Sequence, residues 1–172
     1  LVSPEDTIVM DKLAHACIVD GAFLSRGQLR VFKHNNADSL EAVLKRVNRD
    51  RKGGVLILTE GVYGMTGDLA ILPEIIELAR KYDARLFVDD AHGWGVMGEH
   101  GRGTADYLGV QDGVDVYFGT FAKSFASIGG FSASSKEVIE WIMYNARTQV
   151  FAKSLPMVYV QSLRKALELV KA

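Results

Sequence analysis

Short apolar runs alternate along this chain with longer amphipathic stretches, and that alternation constrains the fold more than any other feature. Thr7–Met10, Leu29–Lys33, Val55–Thr59, Arg85–Val88, Val114–Phe118 and Gly130–Ala133 read as strands. Cys17–Leu24, closed by Gly27, reads as a helix. Asp38–Arg49 sets Leu40, Val43, Leu44 and Val47 at helical spacing, with Asp38 or Ser39 as its cap. Pro73 sits where a first helical turn tolerates it, and Ile75, Ile76 and Ala79 carry that helix to about Tyr82. A glycine-rich connection spans Gly93–Gly113. Lys136–Asn145 forms a further helix, and Pro156 opens a last one through Val160, Leu163, Ala166, Leu167 and Val170. Strands alternating with helices imply crossovers, hence a three-layer α/β fold with a mostly parallel sheet covered on both faces. Such sheets bind ligands at the carboxyl ends of their strands, which singles out the loops after Thr59, Val88 and Phe118.

The 172 residues suffice for one domain with its own core. A net charge of -1 carries no basic excess, so nucleic acid is not an expected partner. Cys17 is the only cysteine, which excludes an intrachain disulfide and a cysteine-cluster metal site and fits a cytoplasmic protein. No apolar run reaches the roughly 18–20 residues of a membrane span. The chain opens on Leu1 and stops at Lys171-Ala172 inside an apolar-periodic stretch, so we expect a piece truncated at both ends.

Two segments carry the chemistry. In Phe87-Val88-Asp89-Asp90-Ala91-His92-Gly93 an apolar strand delivers two acids and a histidine to its carboxyl end. A carboxylate buried there needs a cation or hydrogen-bond donors, and a protonated pyridine nitrogen is such a partner. The bland alternative is a helix N-cap pair, and an acid-rich strand end also suits Mg²⁺. In Gly119-Thr120-Phe121-Ala122-Lys123-Ser124-Phe125 a lysine lies among apolar neighbours. Desolvation there would favour the neutral, nucleophilic amine used in Schiff-base chemistry, whereas an isolated lysine is ordinarily a snorkelling surface residue. Two weaker signals accompany them: the glycine-marked loop Thr59–Asp68, which by itself is only a turn, and His15, whose imidazole can stack on a flat ring.

The pieces LAHACIVDG, TEGVYGMTGD, FVDDAHGWGVMGEHGRG and FGTFAKSFASIGGF resemble, in order and spacing, those of the α-oxoamine synthases. The resemblance covers nearly the whole chain and implies the large domain of a fold-type I transferase dependent on pyridoxal phosphate. By that resemblance Lys123 matches the Schiff-base lysine, Asp89 the acid at the pyridine nitrogen and His92 the histidine at the phenolic oxygen. Thr120 matches a phosphate-binding threonine and His15 the histidine stacked on the ring. Ser154 lies in a segment similar to one that approaches the partner subunit's cofactor, which implies a homodimer. Gly64 departs from the pattern, standing where many members have serine, and Met157 replaces a common second proline. The phosphate loop before Leu1 and the small domain with its carboxylate-binding arginine are expected outside these residues.

The resemblance implies condensation of an amino acid with an acyl-CoA, with decarboxylation, to an amino ketone. Ser127–Phe131 looks most like the bacterial serine palmitoyltransferase branch, hence L-serine and a long-chain acyl-CoA, in sphingoid-base synthesis. The alternatives are 2-amino-3-ketobutyrate CoA ligase, 8-amino-7-oxononanoate synthase, an ordinary aminotransferase, and a non-catalytic subunit supporting an active partner.

Overall fold

A computed structural model describes residues 1–171 of the chain. Six strands, β1 (Thr7–Asp11), β2 (Gln28–Phe32), β3 (Val55–Glu60), β4 (Arg85–Asp89), β5 (Val116–Thr120) and β6 (Gly130–Ala133), form one sheet in the order β2-β1-β3-β4-β5-β6. The first five are parallel, and β6 joins β5 antiparallel. The helices are α1 (Ala16–Leu24), α2 (Ala37–Asp50), α3 (Leu72–Lys81), α4 (Thr104–Tyr107), α5 (Lys136–Asn145), α6 (Arg147–Val150) and α7 (Met157–Lys171). Parallel neighbours need long crossovers, which α1, α2 and α3 supply, while the short link between β5 and β6 permits only a reversal.

Strand alternation divides the interior into two layers. Val9, Ile57, Leu86 and Val88 pack under α2 and α3 with Leu40, Val43, Leu44, Ile75 and Ile76. Their strand neighbours Ile8, Met10 and Leu58 face the other way, onto Ala14, Ile18 and Ala22 of the α1 region. The three-layer fold expected from the alternation is therefore the observed one. β6 and α5 fall where the sequence puts them.

Three details differ. The cap of α2 is Asn36, whose side chain accepts from Ser39 N–H at 2.7 Å; Asp38 and Ser39 already lie inside the helix. α1 ends at Ser25, whose N–H reaches Gly21 O, and Gly27 belongs to the approach to β2. The glycine-rich connection is partly helical, holding two 3-10 turns and α4. Ile57 lies at the centre of the larger layer with no exposed surface. Ile57→Ala should lower the unfolding free energy by about 2–5 kcal/mol, read from the denaturant midpoint.

Candidate active site

β3, β4 and β5 lie side by side, with Glu60 opposite Asp89 and Asp89 opposite Phe118, and β5 runs on to Thr120. The three loops singled out from the sequence thus open over one edge of the sheet. Asp89 is only 5% exposed, and its carboxylate's one hydrogen bond among the described residues comes from Ala91 N–H at 3.0 Å. Burial pushes its carboxyl above the ordinary value, against the Ala91 N–H and the Lys123 charge. Glu60, also 5% exposed, is pushed up by burial and then by Asp89 itself. Two buried acids side by side create a strong demand for a cation. Glu60 was quoted in the sequence without a role; the signal available was its place at the end of a strand adjacent to β4.

Asp90 serves the scaffold. One carboxylate oxygen accepts Thr104 N–H at 2.7 Å and the other the Thr104 hydroxyl at 2.6 Å, both buried. Both of its oxygens are thereby held by the first residue of α4. The bond ties the middle of the glycine-rich connection back to the end of β4, beside the turn that presents His92.

His92 Nε2 stands 2.8 Å from Lys123 Nζ. Burial lowers the His92 pKa, and the neighbouring Lys123 charge lowers it further. The ring is therefore neutral at neutral pH and offers Nε2 as an acceptor to the ammonium, with its proton on Nδ1. Lys123 itself is exposed, which corrects the expectation of a desolvated lysine. Its aromatic neighbours turn elsewhere: Phe125 stacks on Trp94 at 5.3 Å between ring centroids, and Phe121 meets Phe131 at 5.7 Å. They anchor the loop and leave the amine facing His92. Ser124 Oγ adds a bond to Trp94 O at 2.8 Å. This contact requires Gly95, at φ +77, where a Cβ would lie 2.6 Å from Ser124 Oγ.

The remaining candidates are less uniform. Thr120 ends β5 with its hydroxyl donating to Gly129 O at 3.1 Å and accepting from Ala122 N–H at 3.2 Å, so it closes the base of the lysine loop. His15 caps α1, with Nδ1 accepting Cys17 N–H at 3.2 Å. Ser154 is exposed ahead of α7 and has no hydrogen bond to Lys123, His92 or Asp89 among the described residues. Its neighbour Leu155 packs on Gly129 at the exit of the lysine loop. Gly64 lies against the His92 ring, where a Cβ would stand 2.3 Å from Nε2.

An amine, a neutral imidazole and a buried acid thus converge at the carboxyl edge of a parallel sheet. The family described as aminotransferase class I and II matches residues 1–171. The chain belongs to that family. Within it, the cysteate-C-fatty acyltransferase of Capnocytophaga ochracea is 48% identical over 99% of this chain and 41% of its own length. The 8-amino-7-oxononanoate synthase of Alkaliphilus metalliredigens is 49% identical over 95% of this chain and 41% of its own. The Sphingomonas wittichii serine palmitoyltransferase structure superposes with a TM-score of 0.94 at 37% identity, covering 99% of this chain and 42% of that one. A serine palmitoyltransferase of S. paucimobilis, solved as a lysine-to-alanine variant with a bound PLP–myriocin aldimine, gives 0.94 at 31% identity, covering 100% and 43%. These likenesses bear out the resemblance to the α-oxoamine synthases and the fold-type I assignment. The chain spans about two fifths of the length of these relatives.

Two substitutions separate scaffold from site. Thr104→Val should cost about 1–3 kcal/mol of stability by leaving the buried Asp90 carboxylate short of a donor, measured by chemical unfolding. Gly64→Ala should displace the His92 ring and part it from Lys123. The His92 titration midpoint, followed by imidazole NMR, should then move upward as the ammonium withdraws; an unmoved midpoint contradicts the contact.

Proposed function

We propose that the protein is an α-oxoamine synthase dependent on pyridoxal phosphate, joining an amino acid to an acyl-CoA with loss of carbon dioxide. The observation that carries this reading is Lys123 Nζ at 2.8 Å from His92 Nε2, beside the buried Asp89. The residues fit the cofactor: Asp89 keeps one carboxylate oxygen without a hydrogen bond among the described residues, in surroundings that call for a cation. Lys123 would hold pyridoxal phosphate covalently through its amine, Asp89 would pair with the ring nitrogen and His92 with the phenolic oxygen. Thr120 would contribute to phosphate binding, and His15 would lie on the ring. When bound, the cofactor supplies an electron sink for a carbanion at the amino acid's α carbon.

The chain's own groups do the rest. Neutral His92 accepts a hydrogen bond at Nε2 and holds the Lys123 amine in one place. With its amine free, Lys123 Nζ would be the base placed to take the amino acid's α proton. Asp89, costly as a lone buried anion, becomes favourable beside a cation and so keeps it protonated.

For substrates we take L-serine and a long-chain acyl-CoA. The names of the relatives support fatty acyl transfer twice, in the cysteate-C-fatty acyltransferase and the serine palmitoyltransferases. The alternatives are a glycine-using ketobutyrate ligase, an 8-amino-7-oxononanoate synthase at 49% identity and a cysteate-using enzyme. A non-catalytic role is disfavoured by Lys123 standing with its histidine and acid. We further propose that residues 1–172 are the large domain of a longer, cytoplasmic homodimer whose interface brings Ser154 towards the partner's site. No described helix is long and apolar enough to cross a membrane.

In the full-length protein, Lys123→Ala should abolish the borohydride-fixed pyridoxyl adduct on this chain; an adduct of unchanged mass and yield refutes the assignment. Asp89→Asn should keep the adduct and slow turnover by about 10- to 1000-fold, the weight of one to three pKa units. Absorbance titrations with L-serine, glycine and L-cysteate decide the amino acid. Saturation by serine alone supports the choice made here, glycine points to the ligase and cysteate to the sulfonated substrate.

A further inference from the structure

One histidine outside this constellation is held more tightly than any within it. His34 follows β2, and its two ring nitrogens face two carboxylates: Nδ1 is 3.0 Å from Asp11 Oδ1, and Nε2 is 2.7 Å from Asp68 Oδ2. Asp11 ends β1 with a fully buried side chain, and its oxygens also accept the N–H groups of Leu13 at 2.8 Å and Asn35 at 3.1 Å. Asp68 lies in the loop between β3 and α3, where it also accepts the Asn35 amide at 2.7 Å and the Thr66 hydroxyl. Every one of these oxygens is an acceptor. A neutral imidazole has one N–H and one lone pair, so it would set a lone pair against one carboxylate. Only the doubly protonated ring satisfies both.

The two carboxylates belong to two different segments, each of which leads to a candidate site residue. Asp11 leads through Leu13 and Ala14 to His15. Asp68 closes the loop that begins at Glu60 and holds Gly64 against His92. The His34 ring also meets Tyr63 edge-on, at 4.4 Å between centroids, and Tyr63 is buried with its hydroxyl 2.7 Å from Thr59 Oγ1. Contact therefore runs from His34 through Tyr63 and Gly64 to His92, and from there to Lys123.

We propose that His34 is a positioning residue: as an imidazolium it links Asp11 to Asp68 and so fixes the His15 wall relative to the Gly64 wall. Calling these segments walls of a site rests on the function proposed above; the link itself does not. Asp11 of β1 and Asp68 and Tyr63 of the loop are the titratable groups that meet His34 among the described residues. Burial alone would lower the His34 pKa, but the hydrogen bonds and charges of Asp11 and Asp68 outweigh it and hold the value above the ordinary one. The link is thus complete below the ordinary imidazole range and is released as pH rises through the elevated folded value.

The test uses the full-length protein with its cofactor, in two readouts. Imidazole ¹⁵N NMR should show His34 protonated on both nitrogens at neutral pH, with a midpoint that falls by about one unit in Asp68→Asn. A single tautomer at neutral pH, or a midpoint indifferent to Asp68→Asn, overturns the proposal. Amide hydrogen exchange, corrected for intrinsic rates, should show residues 61–70 and 12–15 losing protection together above that midpoint. In His34→Gln both should exchange faster, on the order of tenfold, already at neutral pH. Exchange in either segment that ignores both pH and the substitution overturns the coupling. Neither readout passes through Lys123, so a missing pyridoxyl adduct with both results intact would fault the proposed function and leave the His34 link standing.

Discussion

The side-by-side alignment of β3, β4 and β5 is the constraint on which the rest depends. Their register sets Glu60, Asp89 and Phe118 in one row across the sheet, under the loops that carry Gly64, His92 and Lys123. Burying two acids in such a row is unfavourable unless positive charge comes to meet it. The chain's own offer is the Lys123 amine, whose charge acts on Asp89. The apolar layers on either side of the sheet keep the row dry, so the same packing that stabilises the domain also sets the electrostatic character of its edge.

Adjacent residues around that edge are divided between chemistry and support. Asp89 and His92 face the amine, while Asp90 between them is locked to Thr104. In the lysine loop, Phe125 and Phe121 pack with Trp94 and Phe131, and Lys123 between them is left facing His92. Each reactive side chain is flanked by one that cannot move, which is how a loop acquires the stiffness of an element.

Much of this was legible in the sequence because it is written in periodicity. Strands and long helices announce themselves through spacing, and β6 and α5 were read to the residue. α4 and the turns beside it were not, because a four-residue helix has no period to detect; the Thr104–Asp90 bond that holds it joins residues fourteen apart. Lys123 was expected to be desolvated because its neighbours in sequence are apolar, but a loop does not impose one facing on consecutive side chains. Asp89, His92 and Lys123 were each legible at a strand end. Glu60 escaped because an acid on an apolar strand gains meaning only beside another acid, and that adjacency is a property of the sheet. Ser154 stands apart from the cluster within this chain.

A β-strand also works as a ruler. Successive residues of β4 face opposite ways, so Val88 looks into the larger apolar layer while Asp89 closes the row beside Glu60. Deleting a single residue from that strand would turn an aliphatic group towards the amine and drive a carboxylate into the interior. Individual apolar residues along β3 and β4 can be exchanged for others of similar volume with modest effect, whereas a change in their number cannot be absorbed. For a chain built this way, the distance in residues from loop to loop is as much a part of the candidate site as the lysine, and even the glycine-rich connection has little slack, because Thr104 within it is bonded back to Asp90.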